Sequence, residues 1–142
     1  MTEPVRTVQG SAVESNRRRG GDIRVLLSPR TVGATSGFFG TVELAAGEVV
    51  REHYHPHSEE FLYVVEGAVR LRLDGSQVLT LHPGTAVMVP INVRHRLENV
   101  HDGVSRCVFH LSPLAPRPDL GHVDTEPPAD PSAAGPRVGG AP

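Results

Sequence analysis

Between residues 38 and 112 apolar and polar positions alternate with a period of two. The alternation is visible in FFGTVEL (38–44), VVREHYH (49–55), EFLYVV (60–65), AVRLRL (68–73) and QVLTL (77–81). It continues in TAVMVP (85–90), VRHRLENV (93–100) and SRCVFHLS (105–112). Successive side chains of a strand point to opposite faces, so each run predicts a half-buried strand. AAGE, EG, DGSQ, HPG and HDG separate the runs with residues that suit turns. In AVRLRL, Val69, Leu71 and Leu73 share one face, while Arg70 and Arg72 take the other. No stretch carries a convincing helical period. Eight or nine short strands in this spacing predict an all-β fold, a sandwich or barrel of antiparallel sheets.

At 142 residues the chain suits one domain. Residues 1–20 are polar and unpatterned and are expected to be flexible, with Arg17, Arg18 and Arg19 solvated. The strand pattern assigns the barrel to residues 21–115. From 116 to 142 Pro, Gly and Ala dominate, which predicts a disordered tail. Only PLAPRPDLGHVDT (113–125) looks able to pack, and residues 127–142 are expected to be dispensable.

The formal charge of −2 argues against a nucleic-acid surface. One cysteine, Cys107 in a strand-like run, permits no internal disulfide and fits a reducing compartment. No apolar run approaches the ~20 residues of a membrane span. NRRRGGD has the arginines of an export signal without the apolar segment that must follow. These features predict a cytoplasmic protein without membrane or nucleic-acid partners.

The chemistry concentrates in REHYHPHSEEF (51–61). On a strand His53 and His55 point the same way, about 7 Å apart, a spacing that lets two imidazoles share a cation. Pro56 should end the strand. The next strand, starting at Glu59 or Glu60, is expected to return antiparallel beside the first and to face one carboxylate toward the histidines. His95 shares its face with Val93 and Leu97. A histidine there is either a satisfied core residue or the third imidazole of an N₃O metal site.

These residues also match a known pattern. Gly47, His53, His55, Glu60 and Gly67 fit G-x5-H-x-H-x3,4-E-x6-G, and Gly84, Pro90, His95 and Asn99 fit G-x5-P-x-G-x2-H-x3-N. Asn92 replaces the middle glycine of the second motif, and Asn tolerates the left-handed backbone of a turn. The chain thus resembles the small single-domain cupins, whose fold is a conical, jelly-roll-like β-barrel of two antiparallel sheets. The register selects Glu60 over Glu59. The resemblance implies His53, His55, Glu60 and His95 as ligands of one divalent metal ion, zinc foremost, with iron, manganese or nickel as alternatives.

Over residues 20–126, and most specifically in VFHLSPLAPRPDLGHVDTE (108–126), the chain resembles the cupin-type cyclases of aromatic polyketide and spore-pigment pathways. That implies metal-assisted aldol closure of a poly-β-ketone carried on an acyl carrier protein of a polyketide synthase. Some cyclases of this type bind zinc largely through histidines, so His57 or His110 can supplement or displace Glu60. His57, Glu59 and His110 are the candidates for the base that removes the α-proton. Each also has a plainer role, as a turn residue, a solvated strand end and a packed strand residue. Leu62, Val64, Val93 and Leu97 are expected to line the pocket, and Arg51 shares the parity of His53. The alternatives are a metal-dependent oxygenase or dioxygenase and a non-catalytic polyketide-binding protein. Phe61 and Tyr63 should be exposed on the outer sheet, which suggests a homodimer.

Overall fold

A computed structural model of the chain describes residues 4–139. It is nearly all β, as the alternation predicts. The ten strands are β1 (Asp22–Leu27), β2 (Phe38–Leu44), β3 (Val49–Tyr54), β4 (Glu59–Glu66), β5 (Val69–Leu73), β6 (Gln77–Leu81), β7 (Ala86–Val89), β8 (His95–Asn99), β9 (Ser105–Ser112) and β10 (Val123–Asp124). They form two five-stranded antiparallel sheets, ordered β1-β2-β9-β4-β7 and β10-β3-β8-β5-β6. One turn of helix, α1 (Pro29–Val32), is capped by Ser28, whose hydroxyl accepts from the Thr31 N–H.

The inward faces of both sheets make one core. Val42, Leu44, Leu62, Val64, Cys107, Phe109 and Leu111 come from the first sheet, and Val50, Val69, Leu71 and Leu97 from the second. Burying Cys107 pushes its thiol up to about 12, so it packs as a small apolar group.

The motif residues outside the metal set hold the turns. Gly47, Gly67 and Gly84 all have positive φ, and so does Asn92, at 68°. At Gly67 a Cβ would collide with Ser105, so glycine is required twice over. The buried Asn99 amide donates to the carbonyls of Leu44, Ala45 and Gly103 and accepts from Ser105 Oγ. Asn99 therefore ties three segments together and has a structural role.

The turn HPHS differs from the sequence expectation. β4 does not return beside β3. β3 pairs with β8 and β10, whereas β4 lies in the other sheet between β9 and β7. The turn therefore carries the chain across the barrel, and Glu60 faces the histidines from the opposite wall.

The ends of the chain are folded onto the barrel. Asn16 bridges to Ile23, and the Arg51 N–H donates to the Arg19 carbonyl. β10 adds to the edge of β3. Farther on, Asn16 donates to the Ala134 carbonyl, Arg18 to that of Ala133, and the Arg30 N–H to that of Val138. Composition alone could not reveal these contacts, because backbone carbonyls supply them and any sequence carries those.

Candidate functional site

His53 and His95 lie directly opposite each other on β3 and β8, and His55 follows just beyond the end of β3. All three are buried, at 3–8 % exposure. One ring nitrogen from each lies within 4.8 Å of the others. Ring centroids are 4.4 Å apart for His53–His95, 4.9 Å for His53–His55 and 5.2 Å for His55–His95. From the opposite sheet, Glu60 places Oε2 3.1 Å from His95 Nε2 and Oε1 3.8 Å from His55 Nε2.

The other ring nitrogens are committed. Nδ1 of His53, His55 and His95 sits 2.8, 2.9 and 3.0 Å from the carbonyls of Arg51, Gly121 and Val93. A carbonyl only accepts, so each Nδ1 must carry the proton and donate it. In the neutral ring each Nε2 is then a lone-pair donor. The Nε2 atoms of His55 and His95 are buried, and what each faces is a Glu60 carboxylate oxygen, itself only an acceptor, so without a proton or a cation between them neither is satisfied. Orphaned acceptors at that depth are costly unless something binds them. Three imidazole nitrogens and a carboxylate suit a divalent cation.

Electrostatics point the same way. Burial, then the neighbouring His95 and His55, push His53 well below its usual value. Burial also lowers His55, against the opposing pull of Glu60. Burial alone would lower His95, but the Glu60 carboxylate outweighs it and the net shift is upward. Burial would raise Glu60. His95, His55 and Arg19 outweigh it and hold the carboxyl at about 2. At neutral pH the site therefore presents an ionised carboxylate, with two of its imidazoles held neutral by burial.

The cluster opens into a cavity of about 330 Å³ between the sheets. Its walls are mostly apolar and include Ile23, Phe38, Val42, Leu71 and Phe109. Leu62 and Leu97 line it as expected, whereas Val64 is wholly buried in the core and Val93 packs against that core. Arg51 is outside the lining.

None of the three base candidates faces this cavity. His57 is exposed on the crossing turn, and Glu59 is half-buried at the start of β4, paired with Ser112. His110 lies on the outer face of the first sheet, 6.2 Å from Phe61 between ring centroids. Two residues the sequence reading passed over do line the cavity, Arg19 and His122. Burial, then the nearby Arg19, lower His122 to about 4, so its imidazole is neutral at neutral pH. Arg19 was expected in solvent. Its side chain is 5 % exposed, with Nε 2.8 Å from Asp124 Oδ1.

The family model described as Cupin domain matches residues 40–111. This chain belongs to the cupin family. The cupin is 57 % identical over 124 residues to "Polyketide synthase CurC" of Streptomyces cyaneus, covering 87 % of this chain and 80 % of that protein. It is 53 % identical over 130 residues to "Tetracenomycin polyketide synthase protein TcmJ" of Streptomyces glaucescens, covering 92 % and 87 %. It is 55 % identical over 127 residues to "Protein SchB" of Streptomyces halstedii, covering 89 % and 91 %. A predicted oxalate decarboxylase from Thermotoga maritima superposes with a TM-score of 0.66 at 19 % identity, over 77 % of this chain and 100 % of that one. KdgF from Halomonas superposes with a TM-score of 0.66 at 21 % identity, over 84 % and 99 %. At such identities the likeness concerns the fold alone. No helix among the described residues is long and apolar enough to cross a membrane.

Proposed function

We propose that this cupin is a metal-dependent polyketide cyclase that guides aldol ring closure and aromatisation of a poly-β-ketone intermediate. The observation that carries the reading is the set of inward-facing imidazole nitrogens and one carboxylate at the wall of an apolar cavity. The similarity to polyketide synthase proteins supports a polyketide as the substrate class.

His53, His55, His95 and Glu60 would hold one divalent ion, zinc foremost. When bound, such an ion supplies Lewis-acid polarisation of a carbonyl oxygen. The rest falls to side chains. The apolar walls exclude water and limit the folds available to the chain. His122 is the imidazole of the lining outside the cluster, and on its position it replaces His57, Glu59 and His110 as the candidate base; burial keeps it neutral but also weakens it as a base. The acyl chain arrives on an acyl carrier protein of the synthase, in the cytoplasm. A second copy of the chain covers the outer face that carries Phe61 and Tyr63, which are 42 % and 44 % exposed.

The test is the product profile of the matching minimal synthase with and without this protein under anaerobic conditions. One ring pattern should dominate in its presence, with mass changing only by loss of water, and His53→Ala should abolish the effect. An unchanged profile overturns the reading. A product gaining oxygen in air identifies an oxygenase instead. Redirection that persists in the His53→Ala protein identifies a non-catalytic binding role.

A further inference from the structure

Arg19 is a charged side chain that is costly to keep in the cavity. It is 4 % exposed as a residue, and burial lowers its pKa. A guanidinium carries five donors in a rigid fork that suits a carboxylate two-pronged. Here Asp124 takes Nε through Oδ1 and turns its second oxygen to Arg18, 3.4 Å from Nη2 of that residue. Arg19 Nη2 is left buried with no hydrogen-bond partner.

The backbone is built to hold the residue in this position. The Arg19 carbonyl accepts from the Arg51 N–H on β3. The next residue, Gly20, has φ 104°, and a Cβ on it would collide with the Val49 carbonyl. Gly21 has φ 74°, and a Cβ there would lie 2.5 Å from Leu44 Cδ2. Two glycines thus let the chain pass close against β3 and β2, with the arginine beside them turned into the barrel. Arg19 and the His53, His55, His95 and Glu60 cluster line the same cavity. Glu60 does not form an ion pair with Arg19, since its oxygens are turned to His55 and His95.

We propose that Arg19 is a substrate-binding residue whose free Nη2 donates to an ionised oxygen of an enolised 1,3-dicarbonyl ligand. The walls are mostly apolar, the histidines and Glu60 face one another, and Arg117 is paired with Asp119, so the unpartnered Arg19 Nη2 suits a largely apolar ligand carrying a delocalised negative oxygen pair. The guanidinium then favours the enolate over the neutral ketone, which is the form that attacks in an aldol closure. The assignment of the ligand as a 1,3-dicarbonyl rests on the polyketide reading.

The test uses metal-free full-length protein and 1-phenylbutane-1,3-dione, whose enolate absorbs apart from its neutral forms. The control is 1-phenylbutan-1-one, which has the same ring and chain but only one carbonyl. At a pH just below the diketone's own acidity constant, the bound probe should be enriched in enolate roughly tenfold over the free probe. Arg19→Met should remove most of that enrichment, and Arg19→Lys should retain part of it. Equal enrichment in the Arg19→Met protein, or none in the wild type, overturns the proposal. If both substitutions unfold the chain, isotope-labelled arginine in the wild type takes their place. The guanidinium signal protected from solvent exchange should move with the diketone and stay with the mono-ketone, and a signal that ignores both overturns the proposal. Enolate enrichment together with an unchanged synthase product profile would uphold Arg19 while removing the cyclase reading. A redirected profile without enrichment would do the reverse.

Discussion

At the scale of single residues, His53, His55, His95 and Glu60 were legible because local rules place them. Strand alternation sets two histidines on one face, and the match to the cupin motifs, with six residues between Glu60 and Gly67, selects one glutamate of a pair and adds His95. Glu60→Ala should therefore weaken zinc affinity at least about tenfold, and Glu59→Ala should leave it nearly unchanged, as read by competition with a chromophoric chelator. Equal losses would mean that the register is wrong. Arg19 and His122 were not legible. Arg19 is held by Asp124, about a hundred residues along the chain, His122 lies two residues before that aspartate, and an arginine run before two glycines reads locally as a solvated segment. The double glycine was the available signal, since it marks backbone that must approach something closely. His122 also yields a pH prediction. Its folded pKa, about 4, lies below the ordinary 6.5. Protons therefore bind the unfolded chain more readily between these values. Its stability contribution is complete above pH 6.5 and is lost as pH falls toward 4. Thermal melts of metal-free His122→Gln should be less acid-sensitive across that window than the wild type, by at most about 2 kcal/mol after screening is allowed for.

At the scale of elements, every strand from β2 to β9 was readable from alternation, because each has one face on the core. The partners of β4 were not readable. Whether a strand returns beside its neighbour or crosses to the opposite sheet depends on pairings formed with β7 and β9, far along the chain. β1 was missed because it adjoins the arginine–glycine run and ends in three consecutive apolar residues, Val25, Leu26 and Leu27, which break the alternation. β10 was missed because two residues carry no period. The C-terminal segment gives the sharpest contrast. Pro136, Val138 and Gly139 line the cavity, and Val138 is hydrogen-bonded to Arg30. Truncation after Glu126 is thus expected to lower the melting midpoint by several degrees, since a loss of ~1 kcal/mol shifts a domain of this size by about 2–4 °C. An unchanged midpoint would show that the segment does not dock. Gly20→Ala should cost about 2 kcal/mol or more in urea unfolding, from positive φ and the collision with Val49 together.

At the scale of the whole molecule, the first sheet presents an apolar outer face. Phe61, Tyr63, Val65 and Met88 are each 41–51 % exposed there, and Phe39 and His110 help line a groove across β2, β4 and β9. The proposed homodimer through this face would leave the cavity, on the other side of the same sheet, free for its ligand. Sedimentation should find a dimer in the wild type and a monomer in Tyr63→Arg, with metal content unchanged. The account as a whole depends on the four converging side chains being one cation's ligands. The most direct test is elemental analysis of protein purified without chelator, wild type beside a His53→Ala/His95→Ala double variant that melts cooperatively. The account predicts close to one divalent metal per wild-type chain and essentially none in the double variant. Full metal retained by the double variant, or a wild type that binds none when offered zinc, would contradict it.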